Sequence, residues 1–282
     1  MTAPPAPPDL SLDAIDRRLG EAYACGALQP IETDQAQLSD RGAPFVVKWI
    51  ARRDGQVHRH KPTRSATHNP FLPPEATLTL GAIGEHHLVL LNKYPVMARH
   101  LLIVTSDFEA QTRPITDDDF AALGAILAAH GGLGFYNAGE RAGASQDHKH
   151  LQWIPDLPPL AQRVSEQPDD TVARFGFRHA FASLPTALWS SDELGSGLGQ
   201  CYRTLLTQLG IAPARADLPP YNLLMTREWM CVIPRSVERW QHMSINALGF
   251  AGSLFVKSRD QLQALTETGP LEVLRAVAEA QD

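Results

Sequence analysis

Apolar residues recur along this chain in two periods. At Leu12, Ile15, Leu19 and Ala22 the spacing is helical, and Ser11 stands before them as an N-cap. The run Pro44 to Arg52 (PFVVKWIAR) is rich in β-branched and aromatic residues and predicts a strand. Residues 77–92 predict two strands around a turn near Gly84 and Glu85, and residues 99–105 predict another. The clearest helix covers 117–130. Thr116 caps it, Asp117, Asp118 and Asp119 sit at the positive end of its dipole, and Gly131 and Gly132 end it. A short apolar stretch, Leu133 to Asn137, leads through a glycine-containing loop to His148–Ile154. A further helix is predicted around 197–209. Tyr221–Met225 and Met230–Ile233 predict two strands joined by a tight turn. Residues 245–257 form a glycine-punctuated segment, and helices close the chain, one with Pro270 just inside its start. Residues 53–76 read as a long loop rich in Pro, charge and His. Residues 156–196 are interrupted by Pro and charge, with part of 170–182 helical. Strand pairs mixed with helices indicate the α+β class with an antiparallel sheet.

Composition narrows the functional classes. With 44% hydrophobic and 20% charged residues, the 282-residue chain has the make-up of a folded protein and can bury a sizeable core. A net charge of −6 argues against bulk nucleic-acid binding, while a few local cations can still build a pocket for a small polyanion. Cys25, Cys201 and Cys231 are far apart and odd in number, which suits reduced thiols in a cytoplasmic protein. No apolar run approaches a membrane span. The Pro-rich start, MTAPPAPPDL, lacks the regions of a signal peptide and reads as a disordered tail over residues 1–10.

The densest chemical signal is Asn137 to Gln152, NAGERAGASQDHKHLQ. On a strand, His148, His150 and Gln152 share one face, and Lys149, Leu151 and Trp153 share the other. A neutral imidazole is a good nucleophile near pH 7. Attack on phosphorus needs the second ring nitrogen held as N–H, usually by a carbonyl. Donors aimed at the phosphate oxygens lower the barrier. The backbone of Gly143, Ala144, Ser145 and Gln146, the Ser145 hydroxyl and the Gln152 amide are candidates, and Gly143 permits close approach. Two other readings of the residues stay open here. An H-x-H pair also suits a metal, although His86, His87 and His100 offer no third ligand at a set spacing. The histidines can also be ordinary surface or core residues. His58, His60 and His68 sit in the long loop, His130 falls at a helix C-terminus, and His179 and His242 carry no signal.

The run SQDHKHLQ closely resembles the active-site strand of the diadenosine tetraphosphate phosphorylases (ATP adenylyltransferases), a branch of the histidine-triad superfamily. Asn69 to Pro74, Leu91 to Pro95 with His100, Tyr221 to Thr226, and Ile245 to Gly252 with Lys257 also resemble family segments, in the expected order. The resemblance covers about residues 44–257; the segments 156–196 and 49–68 match poorly. It implies an α+β, histidine-triad-like antiparallel sheet with packed helices. The expected organisation is a single catalytic domain over 11–282, in which 11–165 carries the catalytic strand and 190–282 completes the fold.

The resemblance also implies a reaction. His150 attacks the α-phosphate and holds AMP as a phosphoramidate. ATP leaves, and inorganic phosphate takes the AMP to give ADP. Gln152 stands where the hydrolase branch carries a third His. His148 orients His150 through its ring or its carbonyl. Lys48, Lys93 and Lys257 are expected to offset polyphosphate charge. Asn92 and Asn137 are expected at ribose or phosphate, and Asn246, Ala247, Leu248 and Ser253 at the more distant nucleotide. No protein-held metal and no organic cofactor is implied; Mg²⁺ is expected on substrate phosphates. The expected partners are nucleotides and inorganic phosphate, with neither nucleic acid nor membrane. Rival functions are a sugar-nucleotide phosphorylase or other nucleotidyltransferase on this scaffold, a non-catalytic dinucleotide sensor, and a His-rich metal binder.

Overall fold

The computed structural model describes residues 9–50 and 69–281. The expectations for the tail up to residue 8, and for His58, His60 and His68, lie outside the described residues. Leu10, assigned by sequence to the tail, instead packs on the core, and its carbonyl accepts from His130 Nε2 at 2.7 Å.

The chain builds one eight-stranded antiparallel sheet. Its first strands are β3 (Thr79–Ile83), β4 (His87–Leu91) and β5 (Leu101–Thr105). The centre is β6 (Leu133–Asn137) and β7 (His150–Ile154). β8 (Ala180–Ser183), β9 (Tyr221–Met225) and β10 (Trp229–Pro234) complete it, in the order β3-β4-β5-β7-β6-β9-β10-β8. The polar β1 (Thr33–Asp40), which shows no clear alternation in sequence, pairs with β2 (Ala43–Ile50). β11 (Arg239–Trp240) and β12 (Met243–Ser244) form a short hairpin, and β2 also pairs in parallel with β13 (Ser253–Val256).

Helices cover one face of the large sheet. They are α1 (Leu12–Ala24), α2 (Asp117–His130) and α5 (Leu194–Gln208). Thr116 and Asp119 form a reciprocal capping box on α2, as the Thr116 cap predicts. Phe120, Leu123, Ile126 and Leu127 of α2 pack with Leu151 and Trp153 of β7 and with Leu198, Leu205 and Leu206 of α5. The second core lies on the opposite face. There Phe135, Leu224 and Ile233 meet Phe45 and Val47 of the small sheet. They also meet α3 (Pro159–Glu166), α6 (Ala247–Phe250), α7 (Arg259–Thr268) and α8 (Pro270–Val277).

The poorly matched segment 156–196 holds α3, α4 (Pro168–Val172) and the edge strand β8, where sequence expects one partial helix. Its prolines start helices rather than break them: Pro159 and Pro168 occupy first-turn positions. Gly252 lets α3 dock. Its φ is +95°, and a Cβ there would sit 2.6 Å from Leu160. This brings Ala161 N–H to the Ala251 carbonyl at 2.9 Å.

Candidate active site

β7 lies at the middle of the sheet, with β5 on one side and β6 on the other. Leu151 and Trp153 enter the helical core, so His150 and Gln152 project from the opposite face. His150 stands opposite Val104 of β5, and Gln152 opposite Leu102 and Phe135. Phe71 covers this patch, its ring centroid 5.5 Å from those of both His148 and His150.

The two histidines are held in opposite tautomers. His150 Nδ1 lies 2.8 Å from the His148 carbonyl oxygen. A carbonyl only accepts, so Nδ1 carries the proton and the neutral ring has its lone pair on Nε2. His148 Nε2 lies 2.8 Å from the Thr105 carbonyl, so there Nε2 carries the proton. Its Nδ1 then accepts from Asn69 Nδ2 at 2.9 Å. Asn69 is oriented by its own Oδ1, which accepts from the Phe71 N–H at 2.9 Å. Burial, opposed by hydrogen bonding to Thr105, lowers the His148 pKa from 6.5 and favours this neutral ring.

A second chain of bonds orients Gln152. The Tyr94 N–H donates to Asn92 Oδ1 at 3.2 Å, which turns Asn92 Nδ2 toward His100 Nδ1 at 3.0 Å. His100 Nε2 must therefore donate, and it meets Gln152 Oε1 at 3.0 Å. The Gln152 NH₂ is left pointing away from His100. Asn92, expected at ribose or phosphate, is thus engaged in positioning His100.

The glycine loop differs in detail from its expected form. The N–H groups of Gly143 and Ala144 donate within the loop, to Glu140 and Gly139 carbonyls at 2.8 and 3.1 Å, so they are not available to a phosphate. Gly143 serves a close approach of protein to protein. Its φ is +89°, and a Cβ would lie 2.8 Å from the Ile245 carbonyl and Asn246 Cβ. Ser145 is exposed and Gln146 half-buried, beyond that turn. The loop and the Asn246–Leu248 segment are thereby brought together.

Asn137 is buried inside this junction. Its Oδ1 accepts from Asn222 Nδ2 and from the Ala247 N–H, both at 2.8 Å. Asn246 caps α6 through its side chain, which accepts from the Leu248 N–H at 3.1 Å. Ala247 and Leu248 are buried, and Ser253 is buried in the small sheet opposite Val46.

The three candidate lysines differ in their surroundings. Lys48 is half-buried, and its ammonium lies 3.4 Å from the Val96 carbonyl. Burial lowers its pKa, with Asp156 opposing. Lys93 is paired with Glu75, so its charge is already countered. Lys257 is exposed, just past the end of β13. Among the described residues, no group of three or more His, Cys, Asp or Glu is arranged to hold a metal ion. His87 lies apart from the histidine pair, bound to Asp119 at 2.7 Å in the helical core. Sequence reasoning missed Gln111, Thr105, Asn222 and Arg235; only their partners across the fold give them meaning.

Comparison with known proteins agrees with this geometry. Residues 2–174 match the family model described as Ap4A phosphorylase N-terminal domain, and residues 173–280 match the ATP adenylyltransferase C-terminal domain. Diadenosine 5',5'''-P1,P4-tetraphosphate phosphorylase 2 of Saccharomyces cerevisiae is 32% identical over 247 residues, covering 74% of each chain. The crystal structure of yeast Ap4A phosphorylase Apa2 superposes with a TM-score of 0.77 at 26% identity, over 96% of this chain and 97% of that one. The structure of Apa2 in complex with Ap4A gives 0.75 at 26% identity, over the same 96% and 97%. Two adjoining family matches thus run over nearly the whole sequence, and the chain belongs to the Ap4A phosphorylase family.

Proposed function

We propose that this protein cleaves diadenosine tetraphosphate by phosphorolysis, giving ATP and ADP through AMP carried on His150. One observation carries the chemistry: the His148 carbonyl holds His150 Nδ1–H and places the lone pair on Nε2. Family membership and the Ap4A-bound relative support the substrate.

In this reading Nε2 attacks the α-phosphorus, and the bond to the oxygen bridging to the β-phosphate breaks. ATP leaves as a stable anion. The ring, now bonded at both nitrogens, is cationic, and its Nδ1–H donates more strongly to the His148 carbonyl. Inorganic phosphate then attacks the phosphorus, the N–P bond breaks, and ADP departs. The Gln152 NH₂, oriented through Asn92 and His100, donates to a non-bridging oxygen. Ser145 and Gln146 are the loop residues assigned to phosphate contact. Lys48 and Lys257 are assigned to the polyphosphate, with Lys93 joining them on release from Glu75. Mg²⁺ is assigned to the substrate's own phosphate oxygens, where it offsets charge. The cytoplasm is the proposed setting, supported by three free thiols. Among the described residues no helix is long and apolar enough to cross a membrane.

Incubation with Ap4A and phosphate is expected to yield ATP plus ADP, and an alkaline denaturing quench after incubation with Ap4A alone to trap an acid-labile AMP adduct on His150. His150→Ala should abolish both. Two equivalents of ADP, or ATP plus AMP regardless of phosphate, would reject the reading. Tight binding without an acid-labile adduct would indicate a sensor, and turnover of sugar nucleotides in preference to Ap4A would indicate the sugar-nucleotide branch.

A further inference from the structure

Strand pairing on one edge of β7 stops short of His150. β6 and β7 stay in register as far as Phe135 opposite Gln152. Beyond that point they part, and the glycine loop leaves through the opening. On the other edge His150 still pairs with Val104 of β5.

The side chain of Gln111, 2% exposed, fills the fork. Its Oε1 accepts from the His150 N–H at 2.8 Å. Its Nε2 donates to the Asn137 carbonyl at 2.9 Å and to the His150 carbonyl at 3.2 Å. Both amide protons are used. Gln111 is itself pinned at its main chain. Its N–H donates to the Asp147 carbonyl at 2.8 Å, and its carbonyl accepts from the Tyr136 hydroxyl at 2.6 Å. A side-chain amide here stands in for the peptide group of a missing strand.

We propose that Gln111 is a positioning residue for the nucleophile. It fixes the main chain of His150 on the edge where strand pairing has ended, and so fixes the direction in which the ring leaves the backbone. By binding the Asn137 carbonyl as well, it sets the width of the fork between the nucleophile's strand and the start of the glycine loop. In-line attack on phosphorus is sensitive to such placement: a shift of about 1 Å costs about a hundredfold in rate. The inference rests on the reading of His150 as nucleophile.

Gln111→Met keeps the length of the side chain and removes all three bonds. Gln111→Glu keeps the acceptor and nearly the same shape, and serves if the Met variant folds poorly. Each is compared with the wild type by thermal melting, steady-state kinetics, single-turnover adenylylation and the low-field proton resonance of His150 Nδ1–H. The expected result is a folded variant whose kcat and adenylylation rate fall by about tenfold to a hundredfold. KM for Ap4A should stay within about threefold, since ground-state binding is untouched. The Nδ1–H resonance should shift or broaden. A folded variant with wild-type kcat, or with its loss confined to KM, overturns the proposal. A wild type that forms no adduct overturns the nucleophile reading, and this inference with it.

Discussion

A histidine serves as a nucleophile only when one ring nitrogen is held as N–H and the other keeps its lone pair. His148 and His150 show how little separates that state from its opposite. The His148 carbonyl fixes Nδ1–H on one ring, and the Thr105 carbonyl fixes Nε2–H on the other. The ring of His148 is thus committed to the protein, and its contribution to His150 comes through its backbone. Its buried neutral ring makes stability depend on pH. The folded pKa is lowered, so the unfolded chain takes up a proton first as pH falls. This contribution is full above the ordinary value of 6.5 and is lost as pH drops from there toward the lowered folded value. Melting curves between about pH 5 and pH 8 should show Tm falling on the acid side, and falling less in His148→Phe. An equal slope in both proteins would count against it. A second residue-scale expectation concerns His100. His100→Phe removes the donor that orients Gln152, and losing about 1 kcal/mol of orientation lowers kcat about fivefold. A wild-type kcat in that variant would show that the amide needs no such support.

At the scale of the element, β7 carries different chemistry on its two faces, and the alternation that turns His150 toward Phe71 turns the lysine preceding it into the helical core. The segment entering β7 puts Lys149 fully inside, with its ammonium 2.5 Å from Asp119 Oδ2 and 2.8 Å from the Pro114 carbonyl. Asp119 caps α2 through the Thr116 N–H and binds His87. Burial works to raise the Asp119 pKa, but hydrogen bonding from His87 and the charge of Lys149 outweigh it and hold the carboxyl below its ordinary range. Asp119→Asn would leave the Lys149 charge in the core without a charged partner at that position. It should cost about 3–5 kcal/mol in denaturant unfolding. Lys149→Met should cost less, because the carboxylate keeps His87 and the Thr116 N–H. The reverse order would mean that Lys149 has other adequate partners. Much of this element scale is legible in the sequence. Alternation alone assigns the faces of β7, and Thr116 with three aspartates predicts α2 to its ends. The parts that are not legible share a cause. β1 is a polar strand with little apolar pattern, and the prolines of α3 and α4 look like breakers until their helices are seen to begin there. Gln111 meets partners 26 and 39 positions away, and no local pattern marks a side chain that replaces a strand.

At the scale of the whole molecule, the boundary between the two family matches falls just before β8, yet the large sheet runs across it. Arg235 ties the later half of the chain to the glycine loop. It is 2% exposed. Its guanidinium reaches Asn222 Oδ1 at 2.6 Å and the carbonyls of Val237, Ile245, Val277 and Ala142 at 2.8, 2.9, 3.0 and 3.3 Å. It also lies 5.2 Å over the Phe250 ring. Burial pushes its pKa down to about 10, with Glu238 opposing, so it remains charged near neutrality. Asn222 Nδ2 meets the same Ala142 carbonyl and Asn137, and Asn137 holds the N-terminal turn of α6. Loop, strand and α6 are therefore positioned by one buried cation with five donors in a rigid fork. Lysine cannot reproduce that fork, because its three donors radiate from one atom. Arg235→Lys should lower stability by at least about 3 kcal/mol through carbonyls left without donors. The urea midpoint should move with the slope unchanged. Amide exchange should speed up at residues 139–147 and 245–252 before it does in α2, and phosphorolysis should fall with it. A variant that keeps its midpoint and exchange pattern would show that the two regions hold each other without the guanidinium.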